Sequence, residues 1–330
     1  MLHLHGVGHF HPENEISNSF LEELELDTTN DWIIQRTGIR SRRTVLPLSD
    51  IKETRNQDVR ATGEVVDYTN ADLGRRAAEQ AIACAGVDRC DIGLLIAGGS
   101  VPETVTPAEG CNIAAALDLD IPSIDLRSAC TSFGAAMYLL SRMQEEALPR
   151  FVLVVVPETV TRSVDYRDRR SAVIWGDCAT AAVVSTREPG RATITCNSLQ
   201  SSPRGPEKVV VPWAGHFDQD GPAVQAFAVK TTVRVLRAMR DRWFPAVQEG
   251  RFYFVGHQAN LRMLQTVCRS CEIPEERHLS NVTEFGNTAS SGAPSVLSAH
   301  WDRFSEGDCV AMVCVGSGLT WTDAMIRFSA

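Results

Sequence analysis

The chain has 330 residues, of which 44% are hydrophobic and 22% charged, and this balance is typical of a globular protein with one large domain or two closely packed halves. Its formal net charge of −9 argues against general binding to nucleic acid or to anionic membranes. No apolar stretch is long enough to cross a bilayer, and no basic segment precedes an apolar one near residue 1. We therefore expect a cytoplasmic protein whose ten cysteines are reduced.

Strands and helices are predicted to alternate in the first half of the chain. Three nearly continuous apolar segments, at residues 91–99, 151–156 and 179–185, are typical of strands covered on both faces. The spacing of apolar residues over 71–85 predicts a helix. A polar segment at 44–68 interrupts this half, and its composition predicts either a loop or a short helical insertion.

The second half repeats this alternation after a predicted loop at 203–213. Its predicted elements are, in chain order, 224–243 (helix), 252–257 (strand), 281–287 (strand), 293–304 (helix) and 309–316 (strand). Two successive sets of strands and helices indicate a duplicated α/β unit. We expect the seam between the sets near residues 186–190, which divides the chain into an N-terminal half, 1–186, and a C-terminal half, 187–330.

Cys130 lies where a predicted strand containing Ile124 and Leu126 meets an apolar helix in which Phe133 and Met137 are four residues apart. Unpaired backbone N–H groups and the positive end of a helix dipole favour a thiolate at such a position. For a cysteine considered by itself, structural packing under a helix is the more common role, because free cysteines are usually buried.

Two segments of the second half change that interpretation. His257 ends a strongly apolar strand, and Asn287 stands in a Gly–Asn turn where another predicted strand ends. Open α/β sheets place ligands at the carboxyl ends of their strands, so these side chains are expected to meet Cys130 there. A cysteine nucleophile with a histidine and an amide indicates thioester or acyl-transfer chemistry.

Longer motifs resemble the β-ketoacyl-acyl-carrier-protein synthase III family, a branch of the thiolase-fold condensing enzymes, from about Gly6 to Phe328. The resemblance rests on five segments that occur in the family's order: 31–43, 129–136, 256–262, 281–291 and 316–328. It implies an α/β thiolase-like fold, with duplicated βαβαβαββ halves in a five-layered αβαβα arrangement. It also implies a homodimer.

The resemblance implies a Claisen condensation in which Cys130 carries an acyl group while His257 and Asn287 donate hydrogen bonds to the enolate of a second thioester. The backbone N–H groups of Cys130 and Ser317 are the expected oxyanion hole. The implied substrates are thioesters of coenzyme A or of a phosphopantetheinyl carrier protein. No permanently bound cofactor is implied, and the implied partners are an acyl carrier protein and a second copy of the chain.

Further site residues follow from the same resemblance. The positions at which the family binds the coenzyme A nucleotide are matched by Trp32, Arg36 and Arg169. Candidates for docking an acidic carrier protein are Arg262, Lys230 and Arg234. An ordinary solvated face explains the charges of these last three equally well.

Some features depart from the family's housekeeping members. Thr106 replaces a bulky residue that closes the acyl pocket across the dimer, so we expect room for a longer acyl chain. The 44–68 segment is longer than its counterpart and lies near the expected substrate entrance, residues 176–180 replace a more glycine-rich run, and Ser317 interrupts a glycine triplet. These changes fit a specialised synthase. One form of it would join two acyl chains into a pyrone- or resorcinol-type product.

Two functions other than condensation are compatible with this fold. An acyltransferase of the same fold would pass the acyl group to an alcohol or amine, but such enzymes often lose the asparagine that this chain keeps as Asn287. A non-catalytic scaffold disagrees with the intact cysteine, histidine and asparagine.

A metal site is not predicted from the sequence. The N-terminal histidines lack cysteine or carboxylate ligands at a suitable spacing: His3, His5, His9 and His11. Cys268 and Cys271 have C-x-x-C spacing without a second pair, so we interpret them as thiols on a helix.

Overall fold

A computed structural model describes residues 1–243 and 251–329. The strands are β1 (Leu2–Phe10), β2 (Asn14–Ser17), β3 (Ser41–Thr44), β4 (Ile92–Ala97), β5 (Ser123–Asp125), β6 (Phe151–Glu158), β7 (Cys178–Ser185), β8 (Ala192–Ser201), β9 (Val209–Val210), β10 (Asp218–Gln219), β11 (Phe252–Gly256), β12 (His278–Leu279), β13 (Cys309–Gly316) and β14 (Thr320–Phe328). The helices are α1 (Asn18–Glu23), α2 (Asn30–Thr37), α3 (Leu48–Thr54), α4 (Thr62–Val65), α5 (Asn70–Ala85), α6 (Glu109–Ala116), α7 (Ser132–Leu140), α8 (Arg169–Ala172), α9 (Gly221–Trp243), α10 (Leu261–Cys271), α11 (Val282–Phe285) and α12 (Gly292–Ala299).

The main sheet has the strand order β12-β11-β13-β14-β8-β1-β7-β6-β4-β5. It consists of two sets of five strands, β1 with β4–β7 and β8 with β11–β14. If the strands of each set are numbered in chain order, both sets have the order third, second, fourth, fifth, first from the edge of the sheet inward. The two sets also have the same parallel and antiparallel pairs. The first strands, β1 and β8, pair through residues 2–4 and 192–194 and join the sets. This repeat confirms the predicted duplicated α/β fold. The predicted boundary at 186/187 stays a prediction and falls in the connection between β7 and β8.

The apolar clusters define five layers. Along β6, Val152 and Val154 face a central cluster with helices α7 and α12, whereas Leu153 and Val155 face the outer helices α5 and α6. This alternation is the two-residue period of a strand buried on both faces. In the second half, β13 faces α7 and α12 on one side and the outer helices α9 and α10 on the other. The order of layers is therefore αβαβα, as predicted.

Close packing fixes helix α7, which follows Cys130. An ideal Cβ placed on Gly134 would lie 2.2 Å from the Thr322 hydroxyl oxygen of β14, so only glycine lets the helix approach the strand this closely. Phe133 and Met137 of α7 are buried in the central cluster, as their spacing predicted. Burying side chains of this size contributes about 1.5–3 kcal/mol each.

Other sequence predictions met mixed outcomes. The 44–68 segment contains α3 and α4 and is therefore a helical insertion, and Cys268 and Cys271 both lie buried on α10. The predicted strand over 281–287 is wrong, because β12 ends at Leu279 and residues 282–285 form α11. The predicted loop at 203–213 includes β9, which pairs with β10 in a short hairpin.

Two kinds of feature are absent from the described residues, a membrane-spanning helix and a cluster of metal ligands. None of the helices in residues 1–243 and 251–329 is long and apolar enough to cross a membrane. In the same ranges, no group of three or more His, Cys, Asp or Glu side chains is arranged to hold a metal ion.

Candidate active site

Cys130 lies in a single 3-10 turn, Ala129–Thr131, between β5 and helix α7. The backbone of Ala129 has φ +46°, a left-handed conformation that costs a residue other than glycine about 1–2 kcal/mol. Hydrogen bonds hold the turn in place: Ser128 N–H donates to the Ser132 hydroxyl at 2.9 Å, and that hydroxyl donates to the Ala129 carbonyl at 2.7 Å. The turn therefore sets the thiol at the start of α7, as the sequence predicted.

The environment of the Cys130 thiol is less favourable to a charge than we expected. Burial, and next the negative charge of Glu158, raise the pKa of the thiol to about 12, while the Ser100 hydroxyl lowers it by hydrogen bonding. Desolvation therefore outweighs the helix dipole and the backbone N–H groups at this turn. The pKa of the thiol is therefore raised, whereas the features seen in the sequence favour a lower one.

His257 follows the last residue of β11 and is 7% exposed. Its backbone N–H donates to the Val313 carbonyl of β13 at 2.8 Å, which fixes its position at the strand end. Burial lowers the pKa of the imidazole to about 4, so the ring is neutral at pH 7. Its buried Nδ1 has no hydrogen-bond partner within residues 1–243 and 251–329.

Asn287 lies beyond α11 in an isolated bridge with Trp175, and not at the end of the strand that the sequence predicted. Its N–H donates to Ile174 O at 2.8 Å, and its carbonyl accepts from Gly176 N–H at 3.1 Å. The side-chain Oδ1 accepts from Ala289 N–H at 3.0 Å. The amide oxygen is thus engaged by the protein, and the Nδ2 donor is left for a ligand.

One pocket of about 550 Å³ brings together Cys130, His257 and Asn287. Trp175 and Phe217, whose ring centroids are 4.3 Å apart, form part of its wall. Further wall comes from the β9–β10 hairpin and the start of α9. The sequence placed the three polar side chains together and missed this aromatic wall, because Phe217 lies in a segment without a strand or helix pattern.

The Gly316–Ser317 turn also reaches this pocket. An ideal Cβ on Gly316 would lie 3.2 Å from the Cys130 backbone nitrogen, so the end of β13 closely approaches the nucleophile turn. Ser317 lines the pocket, and its hydroxyl donates to the Val209 carbonyl at 2.7 Å. Whether the N–H groups of Cys130 and Ser317 form the oxyanion hole stays a prediction.

The three residues expected to bind a nucleotide cluster at a separate surface cleft. The Cζ atoms of Arg36 and Arg169 lie 4.4 and 4.9 Å from the centre of the Trp32 ring. Trp32 and Arg169 line the cleft, and Arg169 forms an ion pair with Asp27 at 2.9 Å. The structure brings these residues together outside the pocket of Cys130.

The candidate docking residues have different surroundings. Arg262 donates to the carbonyls of Ile34 and Gln35 at 3.0 and 3.2 Å, so it satisfies acceptors at the end of α2. Lys230 and Arg234 lie exposed on α9. Their role in docking a carrier protein stays a prediction.

Thr106 is exposed on the loop between β4 and α6 and is absent from the described lining of the Cys130 pocket. Its predicted role was across a dimer, so a single copy of the chain does not test it.

A buried carboxylate that the sequence analysis missed connects the two sides of the site. Glu158 accepts Ser100 N–H and hydroxyl hydrogen bonds at 2.9 and 3.0 Å. It also accepts the Ser290 N–H at 3.0 Å and the Ser290 hydroxyl. Burial raises the pKa of this carboxyl. Its one sequence signal is an acidic residue that ends an otherwise apolar strand.

The duplicated, five-layered fold and the pocket that holds a cysteine, a histidine and an asparagine define a condensing enzyme of the thiolase-like class. Residues 124–203 match the model of 3-Oxoacyl-[acyl-carrier-protein (ACP)] synthase III, and residues 252–328 match its C-terminal model. The Beta-ketoacyl-[acyl-carrier-protein] synthase III of Alkalilimnicola ehrlichii is 32% identical over 339 residues, covering 98% of each chain. The chain therefore belongs to the β-ketoacyl-acyl-carrier-protein synthase III family.

Solved structures agree with this assignment. The 3-oxoacyl-[acyl-carrier-protein] synthase III of Aquifex aeolicus has a TM-score of 0.87 at 25% identity, covering 99% of this chain and 100% of that one. The priming β-ketosynthase of the R1128 polyketide biosynthetic pathway has a TM-score of 0.83 at 28% identity, covering 100% and 96%. The protein is thus an acyltransferase of the ketosynthase type, which catalyses a Claisen condensation.

Proposed function

We propose that this ketosynthase holds an acyl group on Cys130 and condenses it with a malonyl or β-ketoacyl thioester in specialised metabolism. The observation that carries the proposal is the shared pocket of Cys130, His257 and Asn287, in which the amide Nδ2 of Asn287 is left for a ligand. The second thioester is delivered on a carrier protein or on coenzyme A.

In the first step, the Cys130 sulfur attacks the carbonyl carbon of the acyl thioester. A new carbon–sulfur bond forms, the thioester bond to the carrier breaks, and the thiol proton ends on the departing carrier thiol. Because the pKa of the resting thiol is about 12, proton loss must accompany substrate binding or attack. The tetrahedral oxyanion is stabilised by the N–H groups of Cys130 and Ser317.

In the second step, a malonyl thioester loses CO₂, and the electrons of the broken carbon–carbon bond form an enolate. His257 and Asn287 donate to the enolate oxygen, His257 as a neutral ring because burial lowers its pKa to about 4. The enolate carbon attacks the acyl carbon, and the bond to Cys130 breaks. With a β-ketoacyl thioester, loss of an α-proton replaces loss of CO₂, and that proton is balanced by the one that the released Cys130 thiolate takes up.

Delivery of the substrates is proposed at two surfaces. The Trp32 ring, with two guanidinium groups within 5 Å of its centre, suits an adenine ring and the phosphates of coenzyme A. Arg262, Lys230 and Arg234 are proposed to contact an acidic carrier protein, with the two exposed residues of α9 contributing mainly to association rate.

A homodimer is proposed along the β5 edge of the sheet. β5 pairs only with β4 in the described residues, so its other side is open. Ile124 on this strand is 51% exposed, and Val105 on the neighbouring loop is 74% exposed. A second copy packed here would bury these exposed apolar side chains and cover the open strand edge, which are two features that otherwise favour aggregation. Thr106, next to Val105, would then face the partner.

A specialised pathway is supported by the Thr106 substitution, by the helical insertion at 44–68 and by the likeness to the R1128 priming β-ketosynthase. Each leaves the condensation chemistry intact and concerns the size or delivery of substrates. A product in which two acyl chains are joined, of the pyrone or resorcinol type, and a cytoplasmic location are part of the same proposal.

Two measurements test this function. Intact-protein mass spectrometry after incubation with acyl thioesters should show one acyl adduct, mapped to Cys130, and its absence over all chain lengths would contradict the nucleophile assignment. Product analysis with malonyl and β-ketoacyl donors should show a new carbon–carbon bond. An ester or amide product would instead identify an acyltransferase that uses an alcohol or amine.

A further inference from the structure

A second cavity, of about 480 Å³, is lined in part by Ser100, which does not line the pocket of Cys130. We call it the arginine cavity. Six of its lining residues carry the argument: Arg60, Ser100, Glu103, Arg127, Arg162 and Trp213.

The arginine cavity approaches Cys130 through Ser100. Ser100 lines the cavity and donates to Glu158, whose charge acts on the Cys130 thiol, and Arg127, which also lines the cavity, precedes Cys130 by three residues. An acyl chain bonded to the Cys130 sulfur and directed past Ser100 would therefore enter it. The cavity is distinct from the aromatic pocket, which holds His257 and Asn287.

The charges that line this cavity are unusual for a site that would hold a hydrocarbon chain. Three arginines face one glutamate, and the other lining residues are uncharged, although the whole chain has a net charge of −9. Arg162 is largely buried, forms an ion pair with Glu103 and donates to the Thr62 hydroxyl at 3.2 Å. The charges of Arg162 and Glu103 therefore already compensate each other.

Arg60 and Arg127 are exposed residues, and their guanidinium groups form no hydrogen bond or ion pair within residues 1–243 and 251–329. Asp125 and Glu109 border a small cavity beside Arg127, and three of their four oxygens accept N–H groups of the protein. The fourth, Glu109 Oε1, is buried and has no hydrogen-bond partner within the described residues, Arg127 included. Filling the space with hydrocarbon would remove water from the two guanidinium groups without replacing its hydrogen bonds. A carboxylate would replace them with charge-assisted, bidentate bonds.

We propose that the arginine cavity binds the distal carboxylate of a dicarboxylic acyl chain whose other end is bonded to Cys130. This inference rests on the proposed function and specifies its substrate class. Arg60 belongs to the helical insertion at 44–68, so the insertion supplies one of the two cations that select the chain.

The test compares loading of matched pairs of coenzyme A thioesters that differ only in a distal carboxylate. The pairs are butanoyl against succinyl, hexanoyl against adipoyl and octanoyl against suberyl, and the rate of adduct formation on Cys130 is followed by intact-protein mass spectrometry. For at least one chain length, the dicarboxylic member should load about tenfold faster or more, the ratio expected for one added charge-assisted hydrogen bond.

Arg127→Gln and Arg60→Gln should each lower this preference several-fold, because the dicarboxylic member loads more slowly while the monocarboxylic member loads as fast as before or faster. A monocarboxylic rate that is not lowered also shows that the variant is folded. Arg269→Gln is the matched control, because it removes an exposed charge on α10, outside the cavity. Its preference should equal that of the unmodified protein.

The outcomes separate the inference from the function beneath it. Equal or faster loading of the monocarboxylic member of every pair would overturn the inference and leave the ketosynthase function in place. A preference that survives in both arginine variants would also overturn it. Failure of every thioester to acylate Cys130 would contradict the proposed function, and the inference would fall with it.

Discussion

Two turns in this molecule have nearly the same backbone and different surroundings. The 3-10 turns Ala129–Thr131 and Ala289–Ser291 each precede a central helix, α7 and α12. Both begin with an alanine in the left-handed region, at φ +46° for Ala129 and +47° for Ala289. Cys130 and Ser290 hold the second position of their turns, so each is the counterpart of the other in the duplicated unit.

The difference lies in where the two side chains are held. Cys130 lines the pocket that also contains His257, whereas the Ser290 N–H and hydroxyl are both bound by the buried Glu158. One turn therefore presents its reactive atom to a ligand, and the other anchors the segment that contains Asn287. Turns of the same backbone shape thus present the Cys130 thiol in the first half and position Asn287 in the second.

Moving the thiol from position 130 to position 290 should give the largest effect. Cys130→Ala is expected to abolish acyl loading, and adding Ser290→Cys to that variant is expected not to restore it, because the new thiol would face Glu158 and not the pocket. Intact-protein mass spectrometry with an acyl thioester is the measurement.

Ser290→Ala alone is the control for this exchange. It removes the hydroxyl that Glu158 binds and should keep the adduct on Cys130. Acylation of the double variant at position 290 would show that the two turns are equivalent in access, against the comparison made above.

The second expected effect separates loading from condensation. Asn287→Ala and His257→Ala should leave acyl loading near normal and lower the rate of carbon–carbon bond formation about 10²–10³-fold, as for loss of one oxyanion donor. Single-turnover kinetics with pre-acylated enzyme measures the second step alone. His300→Ala, which alters a histidine outside the pocket, should change neither rate. Normal condensation by Asn287→Ala would remove the amide from the enolate site.

The third effect concerns the carboxylate next to both turns. Four donors from Ser100 and Ser290 indicate that Glu158 is ionised, and its charge raises the pKa of the Cys130 thiol. Glu158→Gln should therefore speed alkylation of Cys130 by iodoacetamide at pH 8. It should also lower the free energy of unfolding by about 1–3 kcal/mol, because a donor amide meets existing donors.

Glu79→Gln, on an exposed face of α5, should change neither the alkylation rate nor the stability by more than a few tenths of a kcal/mol. An unchanged alkylation rate in Glu158→Gln would mean that Glu158 already carries a proton in the resting enzyme.

The smallest effect is a pH dependence that comes from His257. Burial lowers the pKa of this ring from 6.5 to about 4, so between these values the unfolded chain binds a proton that the native protein does not. The free energy of unfolding should therefore fall as the pH falls from 6.5 toward 4. The part due to His257 is about 1–2 kcal/mol at pH 5.

The measurement is urea unfolding of the native sequence and of His257→Gln at pH 7 and pH 5. The stability of the native sequence relative to the variant should be lower at pH 5. Other buried groups, including Asp177 with its pKa raised to about 7, contribute equally to both proteins. A difference that does not change with pH would mean that the ring titrates normally.

The sequence was sufficient for the residues whose position follows from a strand end. Cys130 and His257 were placed correctly, because a small-residue helix follows Cys130 and an apolar strand precedes His257. The strand before Cys130 is shorter than predicted, since β5 ends at Asp125 and Leu126 lies outside it.

Asn287 was assigned to the site from its motif, but its local structure was predicted wrongly. Residues 281–287 were interpreted as a strand, whereas Val282 and Phe285, three residues apart, lie on one turn of helix α11.

Features that depend on tertiary contacts could not be predicted. Glu158 meets Ser100 and Ser290 across long sequence separations, and no local pattern marks such a network. The raised pKa of Cys130 has the same origin, since desolvation depends on everything packed around the thiol. Arg60 and Arg127 approach one cavity only because the insertion folds back over the loop after β4.

The central layer of the fold limits how this enzyme can be recombined. Helices α7 and α12 come from different halves, yet they share one apolar cluster with strands of both halves. A half exchanged with that of a relative would bring a foreign apolar surface against α7 or α12, and buried surfaces tolerate few changes in volume. Chimaeras that alter substrate choice should therefore exchange surface segments, such as the 44–68 insertion or the β9–β10 hairpin, and keep both halves from one parent.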